Sequence, residues 1–272
     1  MTSAASAPKG AGATYRNPGP KGLGGDQVEG RQAVRELLLA GRRKVREVYL
    51  ATEMENAEVL GDIEELCADL RVLVRKVSKG KLHGMAKTES PQGVVAFAAP
   101  LPEHELEELT TQVPGRPAPF LLALDGVTDP GNLGALLRSA ECAGVSGIVL
   151  PRHRAVHVSP TVTKAAAGAV EHLPMTLVGG LPTAIRDLQK AGVWVVGLDA
   201  GGDVSLFDLA LAHEPVCLVL GAEGRGLSRL VAERCDTVAS IPLLGSLSSL
   251  NVSVAGALAC FEVVRRRQIS SE

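Results

Sequence analysis

The chain has 272 residues, of which 46% are apolar and 21% charged, and its formal net charge is −2. That is enough for one large domain or two modest ones with a buried core, and it excludes a disordered chain. Aromatic residues are only 3% of the total, which argues against an RNA binder built as a stacking platform. The overall charge by itself points to no nucleic-acid partner.

The charge is uneven: residues 1–99 carry +3 and residues 100–272 carry −5. A basic front fits a segment that handles a polyanion, and ordinary surface variation fits as well on charge alone. Five cysteines lie far apart with no C-x-x-C pair, so they read as reduced thiols of a cytoplasmic protein. The six histidines show no metal-ligand spacing and no metal is expected. No apolar run approaches the ~18 residues of a membrane span. The first residues lack the apolar core of a signal peptide.

In chain order, residues 1–25 are rich in Gly, Ala, Pro and Ser, with three basic residues and no acid, and read as a disordered basic tail. Residues 26–99 read as a small α/β unit. The spacing of Val34, Leu37 and Leu38 predicts a helix stopped by Gly41, and alternation predicts a strand over 45–51. A second helix is expected over 55–70, strands over 72–77 and 93–99, and a short helix between them. Arg42, Arg43, Lys44 and Arg46 flank one helix end, and Arg75, Lys76, Lys79, Lys81 and Lys87 gather near the second strand. These are either phosphate contacts or solvated surface charges. Residues 100–118 are proline-rich and read as a linker with a possible helical turn.

From 119 to 272 short apolar strands alternate with helices, the pattern of a parallel sheet covered on both faces. Strands are expected over 119–126, 147–151, 174–178, 193–198, 216–221 and 238–243. Helices are expected over 132–144, 160–171, 181–191, 227–234 and 251–267. Trp194 in its strand reads as core.

Three polar loops follow strand ends, where open α/β sheets bind ligands. The first, DGVTDPGNLGALLR, lacks the G-x-G-x-x-G spacing of a dinucleotide site. On its own terms Asn132 is either a helix cap or a functional group. The second, LVLGAEGRGLS, is not a Walker loop. Its glycines either make a tight turn or let backbone approach a ligand. The third runs from Ile241 through a Gly/Ser stretch into a helix beginning near Asn251, whose N-terminus offers backbone donors.

Taken together and in order, NLGALLRSA (132–140), GAEGRGLS (221–228) and IPLLGSLSSLNVSVA (241–255) resemble the three motifs of the SpoU/TrmH class of SPOUT methyltransferases. The front unit is similar to the substrate-binding domain of members that methylate a guanosine of 23S ribosomal RNA. The resemblance implies an α/β fold: a parallel-sheet methyltransferase domain with a trefoil knot, preceded by the small α/β substrate-binding domain. It implies transfer of methyl from S-adenosylmethionine to a ribose 2′-hydroxyl of RNA, in 23S ribosomal RNA or a ribosome precursor. The resemblance implies cofactor contacts around Gly221, Ile241 and Leu250. Asn132, Arg138, Glu223, Ser249 and Asn251 are implied as the catalytic set. A homodimer built partly by the helix after Asn251 is also implied. The same chemistry on transfer RNA or on an antibiotic-target site of ribosomal RNA is an alternative. A non-catalytic RNA-binding protein of the same fold is another. A guanidinium with a pKa above about 12 is a poor literal base, so the expected role of Arg138 is to hold a phosphate and polarise the hydroxyl. Glu223 is expected to orient it in a bidentate pair.

Overall fold

The computed structural model describes residues 22–52, 58–153, 157–209 and 214–269. In the front unit, β1 (Gln27–Glu29), α1 (Arg31–Ala40), β2 (Val45–Ala51), α2 (Glu58–Asp69), β3 (Leu73–Val77), α3 (Lys79–Met85) and β4 (Val94–Ala98) follow one another. The four strands pair in the order β1-β4-β2-β3, with β2 and β3 parallel and the other pairs antiparallel. Helix α1 ends where Gly41 adopts a left-handed conformation, at φ 58°, a stop that costs glycine little because it has no Cβ. The apolar stripes of α1 and α2, among them Val34, Leu37, Leu38, Ile63 and Cys67, bury against Val48, Leu50, Val94 and Ala96 of the sheet. Each such large apolar side chain contributes about 1.5–3 kcal/mol by leaving water. The three-residue strand β1 is too short to show a period in the sequence. Buried Glu29 holds the loop after α3, accepting hydrogen bonds from the Lys87 and Thr88 backbone amides and the Thr88 hydroxyl.

Within the expected linker, α4 (Leu106–Thr110) forms. The second unit contains β5 (Phe120–Asp125), α5 (Pro130–Cys142), β6 (Gly147–Pro151), α6 (Pro160–Ala165), a 3-10 turn (Ala169–Glu171), β7 (Met175–Val178) and α7 (Leu181–Lys190). It continues with β8 (Trp194–Leu198), β9 (Val204–Ser205), β10 (Val216–Gly221), α8 (Arg229–Ala232), β11 (Thr237–Ser240) and α9 (Val252–Ile269). The seven strands lie in the order β7-β6-β5-β10-β8-β11-β9 and every pair is parallel. Helices α5, α6 and α9 cover one face and α4, α7 and α8 the other, as a parallel sheet requires. The last strand stops at Ser240, before the expected Leu243. Residues 241–251 then cross to α9 without regular structure. Helix α9 lies close on α5 because Gly256 has no side chain: a Cβ there would stand 2.3 Å from a Leu136 methyl.

The structure bears on three expectations. Of the tail expected over 1–25, only 22–25 falls within the described residues, and there it is docked. Leu23 is buried among the second unit's core residues, and Gly24 bridges to Val158. The linker over 100–118 is also anchored. Leu101 and Leu109 are buried, and Glu103 bridges to Met175 beside β7. The core expectation for Trp194 is corrected: it is 45% exposed, because it is the first residue of β8, at the amino end of an interior strand whose next four residues are buried.

The two units share a polar seam. Arg43 donates to both oxygens of Glu171 and also to the carbonyls of Gly25 and Ala99. Beside it, His172 pairs with Glu36 at 3.0 Å, and Arg42 donates to the His172 carbonyl.

Candidate active site

Four segments leave the carboxyl ends of β5, β8, β10 and β11. The strand order reverses at β5, whose sequence neighbours lie on one side while β10 lies on the other. The crevice outside such a point is where open parallel sheets hold ligands. Here the segments after β8, β10 and β11, with the start of α9, enclose a cavity of about 450 Å³. Leu198, Leu220, Ile241, Leu250 and Val252 give it apolar walls, and Asp199, Glu223 and Arg225 supply charge.

The segment after β5 enters α5 through Asp129, whose carboxylate accepts from the Asn132 amide at 2.7 Å, with Pro130 in the first turn. That excludes Asn132 as the helix cap. The cap is Asp129, so the Asn132 side chain is free to reach across the crevice. Its Nδ2 donates to Glu223 Oε2 at 3.0 Å, and its Oδ1 accepts from Asn251 Nδ2 at 2.9 Å. Asn251 Oδ1 in turn accepts from the backbone amide and hydroxyl of Ser253, closing the first turn of α9. A carboxylate only accepts and a helix N–H only donates. The two amides between them are therefore turned one way, and the chain Ser253–Asn251–Asn132–Glu223 has a fixed polarity.

The segment 221–227 is folded back on itself. Ala222 and Gly226 form a bridge, and a Cβ on Gly221 would overlap the Gly226 carbonyl carbon at 2.1 Å. Gly226 has φ +64° and lies so near Asp199 that a Cβ would meet its carboxylate at 2.1 Å. Asp199 accepts from the amides of Leu227 and Gly201, each at 3.0 Å. Asp125 accepts from the Ser228 amide at 2.7 Å. Two carboxylates thus hold the turn by its backbone and leave Glu223 directed to Asn132.

Of the residues singled out from sequence, Gly221, Glu223, Ile241, Ser249 and Leu250 line the cavity, and Asn132 and Asn251 join them through Glu223. Arg138 does not join them. It is exposed on α5, and the expected Arg138–Glu223 pair is replaced by the Asn132–Glu223 hydrogen bond. The reason is helical geometry: six residues beyond Asn132 is about 240° around the helix and about 9 Å along it. Asp199 was missed. Its signal was present, since Asp199-Ala200-Gly201-Gly202 is another polar turn directly after an apolar strand. Among the described residues, no cluster of three or more His, Cys, Asp or Glu side chains is placed to hold a metal ion.

Residues 119–261 match the SpoU rRNA Methylase family, and residues 27–104 match the family described as RNA 2′-O ribose methyltransferase substrate binding. The chain is 38% identical over 247 residues to the 23S rRNA (guanosine-2′-O-)-methyltransferase RlmB of Photobacterium profundum, covering 91% of this chain and all of that protein. It is 35% identical to a putative TrmH family tRNA/rRNA methyltransferase of Staphylococcus saprophyticus, covering 88% of this chain and 95% of that protein. Among solved structures it is similar to the SpoU methyltransferase AviRb from Streptomyces viridochromogenes in complex with AdoMet. The TM-score is 0.74 at 29% identity, over 89% of this chain and 90% of that one.

Proposed function

The chain belongs to the SpoU rRNA methylase family, and on that basis we propose that it methylates the ribose 2′-hydroxyl of a guanosine in 23S ribosomal RNA, with S-adenosylmethionine as donor. The observation that carries the reading is the directed chain Asn251–Asn132–Glu223 at the rim of a cavity between parallel strand ends. Relatives named for this reaction align with both units of the chain, not with the second alone.

The residues present fit the cofactor. A cavity of about 450 Å³ lies in the range of small-molecule sites. Its aliphatic walls suit an adenine ring, and the carboxylates of Asp199 and Glu223 suit a ligand bearing ammonium and sulfonium charge. Backbone groups of Gly221, Ile241 and Leu250 would hold it. The bound cofactor supplies a methyl group already activated as an electrophile. What remains for the protein is to place the ribose hydroxyl in line and ease loss of its proton. Asn132 and Asn251 orient that face of the site, Ser249 offers a hydroxyl to the ribose, and Glu223 keeps Asn132 turned.

Arg138 is assigned to the site of a second copy. Helices α5 and α9 lie on the same face of the sheet, so their outward strips share one surface. On α9 that strip is apolar, with Val254 48%, Leu258 44% and Phe261 48% exposed, and Leu244 and Leu247 stand fully or largely in solvent before it. Such a surface is suited to a two-fold homodimer. Dimerisation across it brings one protomer's Arg138 toward the partner's cavity, where it holds the RNA phosphate. A trefoil knot formed by passage of 241–251 beside the 221–227 turn, and a cytoplasmic location, complete the reading. No helix among the described residues is long and apolar enough to cross a membrane.

The test is transfer of labelled methyl from S-adenosylmethionine to unmodified 23S ribosomal RNA and, separately, to transfer RNA, with mapping of the labelled nucleotide. Label on a guanosine ribose of the ribosomal RNA is the expected result. Label on transfer RNA alone moves the substrate to the second class, which the name of the relative from Staphylococcus saprophyticus allows beside ribosomal RNA. Failure to bind the cofactor overturns the reading.

A further inference from the structure

The front unit's sheet is covered on one face and half open on the other. Strands β2, β3 and β4 alternate, so Glu47, Tyr49 and Ala51, then Leu73, Arg75 and Val77, then Val95 and Phe97 share one face. Helix α3 covers only one end of it, with Leu82 and Ala86 packed on Ala51, Val77 and Val95. At the other end Tyr49 and Phe97 meet edge to face, their ring centres 5.9 Å apart and planes at 86°. Leu73 beside them is 51% exposed. Arg75 is pinned over this patch by its Nε, which donates to Glu47 Oε2 at 2.8 Å. Exposed Lys79 and Lys81 stand on the bordering helix.

We propose that this half-open face is a binding surface for unpaired RNA, with bases stacking on Tyr49, Phe97 and the Arg75 guanidinium, and Lys79 and Lys81 meeting phosphates. The proposal rests on the RNA-substrate reading above and adds the place and the mode of contact. Tyr49 and Phe97 are half-buried and Arg75 is exposed; the outer surface of the rings and the held guanidinium offer flat faces that any base can stack on. Glu47 offsets the charge of Arg75, and the exposed Lys79 and Lys81 leave the border of the patch positive, complementary to a polyanion. A protein partner fits poorly, since a stable interface needs about 800 Å² on each side and this patch has three apolar side chains. Aromatics are scarce in the chain, but two of them are spent together at this position.

The test uses the whole chain and fluorescence anisotropy with a short labelled oligouridylate, single-stranded, and with an RNA duplex of equal length. Tyr49→Leu keeps apolar bulk against Phe97 and removes the ring. Tyr49→Phe keeps the ring. The expected result is single-strand binding weakened about tenfold by Tyr49→Leu and restored in Tyr49→Phe, with melting temperature and S-adenosylmethionine affinity like the parent's. Equal binding by Tyr49→Leu and the parent overturns the proposal. So does equal affinity of the parent for duplex and single strand, and so does a patch that binds no RNA in a protein that methylates ribosomal RNA, which leaves the function standing. Tyr49-dependent binding without methyl transfer to ribosomal RNA supports the patch and sinks the assigned substrate instead.

Discussion

Arg43 and Glu171 lie 128 positions apart and form a two-bonded ion pair at 2.6 and 2.8 Å with both side chains almost wholly buried. The remaining guanidinium nitrogen takes the carbonyls of Gly25 and Ala99. One side chain therefore ties the entry to the front sheet and the exit from it to the second unit. Its charge is matched and its donors are used, which is what makes a buried arginine tolerable. Removing one member strands the other. Arg43→Met or Glu171→Gln is expected to lower stability by about 3–5 kcal/mol. The double variant is expected to lose much less than the sum, as read from denaturant midpoints in a double-mutant cycle.

Asp199 touches no reacting group but holds the turn that carries Glu223. Asp199→Asn keeps its size and replaces one acceptor by a donor, facing either the Leu227 or the Gly201 amide. We expect S-adenosylmethionine affinity to fall about tenfold, roughly one lost hydrogen bond, while the melting temperature without cofactor changes little. Calorimetric titration reads this, and unchanged affinity would remove Asp199 from the account.

The assignment of Arg138 to the partner's site has a sharp consequence for mixed dimers. Arg138→Ala alone is expected to reduce methyl transfer at least a hundredfold, and Glu223→Ala alone to abolish most of it. Mixing the two inactive proteins and allowing subunits to exchange is expected to restore about a quarter of the parent's rate. Half of the random dimers are hybrids, and each hybrid contains one complete site. No recovery places Arg138 in the cavity of its own chain.

Cysteine labelling separates burial from exposure. Burial pushes the thiols of Cys67, Cys235 and Cys260 up to about 11, 12 and 12, and Cys217 further still. Cys142 is exposed. At pH 8 a thiol reagent is expected to react rapidly with one equivalent, mapped to Cys142, and with the others only on unfolding.

On α9, the hydrogen bond from Arg265, and then that from Arg266, holds the Glu262 carboxyl below its ordinary range. A carboxyl with a lowered pKa in the folded state contributes stability that is complete above its unfolded value near 4.5 and is lost as pH falls through the folded one. The Glu262→Gln protein is expected to lose less stability than the parent between pH 5 and 3. Thermal melts across that window check it.

The sheet was legible because buried parallel strands leave apolar runs of fixed length, and the six expected strands of the second unit are all present. The second and third loops, legible through their order and chemistry, line one cavity, together with the unread turn after β8, and the first loop meets them only through the Asn132 side chain. What spacing did not carry was direction around a helix. Asn132 and Arg138 stand in one motif yet face different ways around α5, and the capping by Asp129 leaves the Asn132 side chain free to turn to Glu223. Short elements such as β1 and β9 were invisible because three or two residues show no period. Leu23 was hidden for a different reason: a single apolar residue among glycines carries no pattern, although its burial is complete.

The cavity walls come from residues 198–200, 220–226 and 241–255, and the strand between the first two is central in the sheet while the third arrives last. In time as well as space, the site is therefore late. A ribosome making this chain releases β5 through β10 before the segment that closes the pocket, and distant contacts of this kind form slowly. Until residues 241–255 have emerged and settled, that cavity lacks one of its walls. If the proposed cofactor site is this cavity, cofactor binding is expected to report completed folding of the second unit and not merely its beginning.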